Sequence, residues 1–274
     1  MADFPELATL AFRRDGTIGI LTLNRPKVRN AIDDALRTDL KVAMDAIAED
    51  QSIRGLVLTG AGDAFCSGGD IKGMQDRLDQ GARAGELGWW RQKDFHESLA
   101  KLFHLGKPTL AAVNGPAFGL GLDVALTCDF VFLAESAQVA ANFVRRGLVS
   151  DGGGFFHIPR RVGIAKAKEL LFSGRTLDAA EALEIGLVDR VVPADALIKN
   201  AIAYLTMFTD HPATAQAMAK SILNRSLDLG FDEINMIASQ AQAFCYSSAD
   251  HQESVREFFA ARERARAARA SQKG

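Results

Sequence analysis

The chain has 274 residues, 48% of them hydrophobic and 24% charged, an ordinary globular composition sufficient for one large domain or one domain with an appendage. Its formal net charge of −2 gives no electrostatic reason to expect nucleic acid or an anionic membrane as partner. Three widely spaced cysteines, Cys66, Cys128 and Cys245, argue against a disulfide scaffold or a zinc site and fit a reducing, cytoplasmic compartment; the N-terminal stretch with Asp3 and Glu6 resembles neither a secretory signal nor a transit peptide, and no 18-residue apolar run exists.

The runs LATLAF (7–12) and IGILTL (18–23) flank a turn at Asp15–Gly16 and predict a β-hairpin. From Ala31 to Glu49, Ile32, Leu36, Leu40, Ala43 and Ile47 recur at helical spacing, which predicts an amphipathic helix. GLVLTG (55–60), TLAAVN (109–114) and FVFLAE (130–135) read as buried strands, with a short helix over Gly119–Thr127 between the last two. Strand and helix alternate, so an α/β core with parallel strands is expected. Met74–Lys93, with Trp89 and Trp90, reads as a loop before a helix. Beyond Gly154, helices are predicted over Ile164–Phe172, Asp178–Leu183, Ala194–Phe208, Pro212–Leu227, Asp232–Tyr246 and His251–Arg262, with Asp178 and Asp232 as N-caps. Val255, Phe258, Phe259 and Arg262 share one face of the last helix, either a core contact or a surface for a neighbouring subunit. The Ala/Arg tail over 262–270 reads as a solvated helix end that frays.

Three glycine-rich stretches follow strands or precede helices: 60–72, 114–123 and Ser150-Asp-Gly-Gly-Gly154. At such a turn the first helical N–H groups have no intrahelical partner and point past the strand end, with the positive end of the helix dipole behind them. Two such turns side by side would aim two donors at one oxygen, an oxyanion hole. Glycine turns also arise for packing alone. None of the three fits a P-loop, and a dinucleotide-binding fingerprint is unsupported.

Leu21-Thr-Leu-Asn-Arg-Pro-Lys-Val-Arg-Asn-Ala31, Ala64-Phe-Cys-Ser-Gly-Gly-Asp-Ile-Lys72, Ala112-Val-Asn-Gly-Pro-Ala-Phe-Gly-Leu-Gly-Leu-Asp123 and the helix from Asp250 to Arg262 resemble, in order, four signatures of the enoyl-CoA hydratase/isomerase (crotonase) family. The resemblance runs from about residue 7 to residue 264. It implies a crotonase-like ββα spiral core over 1–200 and a C-terminal helical trimerisation region over 201–274, as a homotrimer or dimer of trimers. It implies an acyl-CoA thioester as substrate, so coenzyme A enters with the substrate and no separate cofactor or metal is needed. The family's two oxyanion donors fall on the N–H groups of Gly69 and Leu120, the latter just after Gly119. Lys27, Val28, Arg29, Ser67, Gly68, Asp70, Ile71 and Lys72 fall where the family holds CoA, Lys27, Arg29 and Lys72 being natural phosphate partners unless they are ordinary solvated side chains. Phe143 and Phe258 complete the implied substrate contacts.

Family hydratases use two glutamates to hold a water. Here Asp123 stands at the first position and Phe143, which cannot accept a proton, at the second. Asp151 stands where family isomerases carry a carboxylate, and dienoyl-CoA isomerases carry carboxylates at both the Asp123 and Asp151 positions. The resemblance therefore implies a double-bond isomerase of fatty-acid type more than a lyase adding water. Burial against Phe143 and Phe118 should raise the pKa of such a carboxylate, and mutual repulsion should split the two titrations. Asp123 has no cation adjacent in sequence to give it a structural role, whereas Asp151 also suits a turn or cap. The five histidines and Ser67 form no triad, so each histidine reads as surface or packing, and Cys66 as a small apolar residue. Hydration of a 2-enoyl-CoA is the alternative chemistry, then thioester hydrolysis or nucleophilic attack by Asp151. A non-catalytic CoA-fold binding protein is the alternative of another class.

Overall fold

The runs 18–23, 55–60 and 109–113 contain no charged residue, and each forms a largely buried strand in the computed structural model, which describes residues 4–271. Strands covered on both faces need no polar alternation, and parallel sheets have that covering. In chain order the elements are β1 (Leu10–Asp15), β2 (Ile18–Leu23), α1 (Asp34–Glu49), β3 (Gly55–Gly60), α2 (Ile71–Leu78), α3 (Arg83–Phe103), β4 (Thr109–Val113), β5 (Ala117–Phe118), α4 (Leu120–Leu126), β6 (Phe130–Ala134), β7 (Gln138–Ala140), α5 (Gly154–Ser173), β8 (Leu177–Asp178), α6 (Ala179–Glu184), β9 (Arg190–Val192), α7 (Leu197–Thr209), α8 (Ala213–Leu223), α9 (Phe231–Tyr246) and α10 (Ala249–Ser271).

One sheet has the order β1-β2-β3-β4-β6-β9, and only the β1–β2 hairpin in it is antiparallel. A second sheet, β5-β7-β8, is built of strands two or three residues long. The chain therefore steps from a long strand into a short one and then into a helix, as β4-β5-α4 and again from β6 and β7 to α5. The sites of interest lie at these steps.

The predicted hairpin forms three residues later than the apolar run suggests. Thr9 N–H and Oγ1 both bond to the Asp39 carboxylate, at 2.8 and 2.7 Å, which turns the donors of Thr9 toward α1, while its carbonyl accepts the Asn24 N–H just beyond β2 at 2.8 Å. The predicted helix over 31–49 starts at Asp34, where the Asp33 carboxylate accepts the Leu36 N–H at 2.9 Å, as a cap should. Its buried face is Leu36, Arg37, Leu40, Ala43, Met44 and Ile47.

Two expectations are overturned. The predicted loop over 74–93 is largely helical, divided between α2 and α3. Only the second half of α3 buries residues, Phe95, Ser98, Leu99 and Leu102, so its first half carries no apolar stripe to read. Trp89 and Trp90 lie on that first half and are exposed. Helix α5 begins at Gly154 rather than Ile164; Pro159 and the non-helical Gly163 mask its first part, and the chain kinks at Gly163.

The described chain divides into two compact units between Phe208 and Thr209. Phe130 packs edge-on to Tyr204 at 5.0 Å and stacks on Phe208 at 5.7 Å, which ties α7 to the first unit. The expected boundary at residue 200 falls inside this helix. The second unit contains α8, α9 and α10. Asp178 caps α6 as predicted, accepting the Glu181 N–H at 2.8 Å. Asp232 does not cap α9: the cap position is Gly230, whose N–H bonds to Glu233 Oε2 at 2.8 Å, and Asp232 sits in the first turn facing the helix dipole. Phe231, Met236, Phe244, Phe258 and Phe259 of this unit are all exposed. Among the described residues no helix is long and apolar enough to cross a membrane.

Candidate active site

The sequence around Cys66 and that around Ala117 are zipped together as a one-residue parallel bridge. Cys66 N–H donates to the Pro116 carbonyl at 3.1 Å, and Phe118 N–H donates to the Cys66 carbonyl at 3.0 Å. The two glycine-rich turns that follow are therefore neighbours. A methyl group on Gly68 would lie 2.8 Å from the Phe118 carbonyl oxygen and 3.7 Å from the Leu120 nitrogen. Gly119 holds φ 52° and ψ −119°, a conformation that side-chain-bearing residues avoid. Its own N–H bonds to the Ala140 carbonyl at 2.8 Å, which leaves Leu120 as the first residue of α4. Neither the Gly69 nor the Leu120 N–H has an acceptor among the described residues, while the flanking Asp70 N–H is taken by the Ile32 carbonyl at 3.1 Å. Two neighbouring turns thus each leave one donor open.

Two asparagines, Asn30 buried and Asn114 half-buried, stitch this region together. Asn30 Nδ2 donates to the Ala61 and Ala64 carbonyls, both at 2.9 Å, and its Oδ1 accepts the Arg25 N–H at 2.8 Å. Asn114 Nδ2 donates to the Gly62 carbonyl at 3.0 Å, and its Oδ1 accepts the Gly60 N–H at 3.1 Å. The asparagines of the first and third motifs are therefore turn staples.

The loop at 27–29 lies against the first turn. Ser67 N–H donates to the Arg29 carbonyl at 2.9 Å, and Ser67 Oγ lies 3.4 Å from the Val28 carbonyl. Lys27, Val28, Arg29, Ile71 and Lys72 are exposed, with Arg29 3.9 Å from the Asp63 carboxylate. Asp70 is already engaged. Its carboxylate caps α2 through the Lys72 N–H at 2.9 Å and pairs with Arg25 at 3.5 Å, so its side chain is a framework group. Cys66 is buried, donates from Sγ to the Asn30 carbonyl at 3.1 Å, and burial pushes its thiol up to about 12. Phe258 lies in the second unit.

Asp123, on the buried α4, is fully enclosed. Its Oδ2 accepts the Ser150 hydroxyl at 2.7 Å and the Gly152 N–H at 2.9 Å. A Cβ on Gly152 would sit 2.8 Å from Asp123 Cβ, so only glycine lets the 150–154 turn close onto α4. Asp123 Oδ1 has no hydrogen-bond partner. Burial pushes this carboxyl up to about 7, against the pull of Ser150 and Gly152, and the Asp151 charge adds to the rise. The sequence offered Asp123 no structural partner because its partners lie 27 and 29 residues away and carry no charge.

The turn that Asp123 holds presents Asp151, which lines a cavity of about 460 Å³ walled by His96, Leu99, Phe103, Phe156 and His157. Burial raises the Asp151 carboxyl, opposed first by the Arg37 charge and then by His96. His96 Nε2 lies 2.5 Å from the Asp151 carbonyl oxygen, so this exposed histidine also forms part of the site wall. His157 packs edge-on to Phe103 and Phe156, and burial lowers its pKa to about 4. Phe143 borders the other turn: a Cβ on Gly119 would lie 3.8 Å from its ring.

Arg37 is absent from the sequence reading, and Ser150 appears there only as the start of a glycine-rich turn. Its bond to Asp123 carries no signal in one sequence. Arg37 does: it stands three residues before Leu40 and seven before Met44, on the apolar stripe of α1, where an unpaired cation is costly. Among the described residues no group of three or more His, Cys, Asp or Glu is placed to hold a metal ion.

A mostly parallel sheet stepping into a short second sheet, with two open amides at adjacent strand-to-helix turns, defines the class of crotonase-fold enzymes. The chain belongs to the enoyl-CoA hydratase/isomerase family, whose model matches residues 13–266. It is 36% identical over 256 residues to a probable enoyl-CoA hydratase of Rhizobium meliloti, covering 93% of this chain and 96% of the relative. It is 30% identical to the mitochondrial enoyl-CoA hydratase of Pongo abelii, covering 94% of this chain and 86% of the other. The crystal structure of an enoyl-CoA hydratase/isomerase from Cupriavidus metallidurans superposes with a TM-score of 0.86 at 33% identity, over 94% of this chain and 95% of that one. The family acts on acyl-CoA thioesters.

Proposed function

We propose that this enzyme moves a double bond within an enoyl- or dienoyl-CoA by carboxylate proton transfer. The thioester oxygen is held by the open N–H groups of Gly69 and Leu120, which lower the cost of the enolate formed when a nearby carbon loses a proton. Asp151 is the base: it lines the cavity, and burial makes it a stronger proton acceptor than a solvated aspartate. Asp123 is the second carboxyl and positions the turn carrying Asp151. CoA runs along the exposed 27–29 loop and the 67–72 turn, with Lys27, Arg29 and Lys72 offered to its phosphates.

The observation that carries this reading is Phe143. Its ring walls the Gly119 turn at the position where the family's hydratases place a carboxylate, so a water there would lack its second acceptor. Hydration of 2-enoyl-CoA is the second reading, favoured by the names of the relatives, with Asp123 and Asp151 together holding the water. Absorbance separates the two. Incubation with a 3,5-dienoyl-CoA should give a growing conjugated-dienoyl band, and crotonyl-CoA should keep its enoyl-thioester band. Loss of the crotonyl band without change in the dienoyl substrate sinks isomerisation and supports hydration. Silence with both supports hydrolysis or binding alone.

The protein is also proposed to assemble as a homotrimer or dimer of trimers in the cytoplasm. The exposed aromatic and aliphatic residues of the second unit support assembly, being more apolar surface than a helical surface needs. Sedimentation equilibrium should give three or six copies of the 29.5 kDa chain; a monomer would refute this.

A further inference from the structure

The first of the four motifs holds a cation that the proposed site does not use, Arg25. Its side chain is 20% exposed, and its guanidinium has three acceptors. Nη2 pairs with Asp33 Oδ2 at 2.7 Å, Nη1 pairs with Asp70 Oδ2 at 3.5 Å, and Nη1 also donates to the Ala31 carbonyl. Each carboxylate uses its other oxygen as a helix cap. Asp33 Oδ1 accepts the Leu36 N–H in the first turn of α1, and Asp70 Oδ1 accepts the Lys72 N–H in the first turn of α2. Beside these caps the two segments meet at a single parallel bridge, Ile32 with Gly69. Two main-chain bonds make it: Ile32 N–H to the Gly68 carbonyl at 2.8 Å, and Asp70 N–H to the Ile32 carbonyl at 3.1 Å. Arg25 thus grips residues 31 and 33, on either side of Ile32, and residue 70, next to Gly69.

We infer that Arg25 is a positioning residue for the oxyanion hole: by clipping both sides of the Ile32–Gly69 bridge, it fixes the direction of the Gly69 N–H. The inference rests on the reading of that N–H as a donor to the thioester oxygen. A bridge one residue long, with a glycine at 68 in the left-handed region and no side chain at 69, has little else to stop it twisting. A donor that must meet an oxygen at about 2.7–3.1 Å tolerates little twist. The planar guanidinium fork suits the task, since it holds two carboxylates and a carbonyl at fixed angles. Without it, the Asp33 and Asp70 carboxylates that now share one cation would repel each other and push the two segments apart. The second donor is held independently, because the Gly119 N–H beside Leu120 bonds to the Ala140 carbonyl. The proposed CoA loop is also separate from the clip. The Val28 and Asn30 N–H groups bond to the Arg25 carbonyl, and the Arg25 N–H bonds to Asn30 Oδ1, so the Arg25 side chain takes no part.

The test reads the thioester oxygen directly and needs no turnover. Infrared difference spectra of the full-length protein with butyryl-CoA, carbon-13 against carbon-12 at the carbonyl, isolate the stretch of the bound thioester. In the parent this stretch should lie below that of free butyryl-CoA, because two donors weaken the C=O bond. Arg25→Met should lose about half of that lowering or more, one of the two donors being displaced. Its affinity for butyryl-CoA should stay within about twofold of the parent's, and with any acyl-CoA that the parent turns over its kcat should fall about ten- to a hundredfold at nearly constant KM. Asp70→Asn keeps the cap on α2 but turns an NH2 group toward the guanidinium, so it opens one arm of the clip and should lose a smaller part of the lowering. A folded Arg25→Met that keeps the parent's full lowering overturns the inference. So does one that keeps the lowering and loses butyryl-CoA affinity, which would make Arg25 a CoA contact. If Arg25→Met does not fold, Asp70→Asn decides, and an unchanged stretch there overturns the inference. A parent with no lowering would refute the reading of Gly69 and Leu120 as donors, and the inference with it.

Discussion

Asp151→Asn should lower turnover by about a hundred- to ten-thousandfold, the usual contribution of a positioned proton-transfer group. Asparagine keeps the shape of the side chain but is neutral and replaces one acceptor oxygen with an NH2 donor, so it cannot take a proton. Asp151 stands on a turn that is held by Asp123 through the neighbouring residues Ser150 and Gly152, so the turn should keep its place in the variant. The proposed CoA contacts, at 27–29 and 67–72, lie on other segments. CoA affinity, measured by calorimetry, should therefore stay within about twofold, well below the 1.4 kcal/mol that a tenfold change represents. Loss of turnover with intact CoA binding places the defect in chemistry. Normal turnover in this variant would remove Asp151 from the mechanism.

Asp123→Asn should behave in the opposite sense for stability. The Asp123 carboxyl titrates near 7 in the fold against 3.8 for an ordinary aspartate. The sign follows from proton uptake. Between these pH values the folded chain holds a proton that the unfolded chain has lost, so stability falls as pH rises. The contribution of the protonated group is fully present below 3.8 and is lost as pH passes about 7. By the usual 1.36 kcal/mol per pH unit, the loss at pH 8 approaches about 4 kcal/mol. Asparagine is neutral throughout, and its oxygen can still accept from Ser150 and Gly152. Thermal melts should therefore show the variant gaining on its parent from pH 4 to pH 7, with a constant gain above that. A difference in melting temperature that is the same at pH 5 and pH 8 would show that the carboxyl is not burdened by burial.

These two carboxylates also show where sequence reasoning reaches and where it stops. The strand–turn–helix steps were legible because they follow from local chemistry: apolar runs without charge, then glycines where the backbone must turn. The same chemistry marks the turns but not the donors within them: Gly69 and Leu120 were named only through the family resemblance, and that their neighbours' amides are consumed emerges from the fold alone. The α3 helix was missed because Gly81, Gly85 and Gly88 suggest a loop, and the exposed first half of the helix has no core to imprint a period on it. The second sheet was missed because strands of two or three residues are too short to show alternation. Asp123 looked unpartnered because its partners are neutral and distant in sequence. Arg37 was open to detection, since it interrupts the apolar stripe of α1, but its acceptors on α3 reach it only once the two helices meet.

The most direct measurement is a crystal structure of the enzyme with a saturated acyl-CoA, which keeps the thioester carbonyl oxygen and has no double bond to move. That oxygen should sit within hydrogen-bond distance, about 2.7–3.1 Å, of both the Gly69 and the Leu120 nitrogens, with an Asp151 carboxylate oxygen nearest the carbon that loses its proton. A ligand whose carbonyl avoids these two amides, or whose acyl chain leaves Asp151 out of reach, would contradict the account.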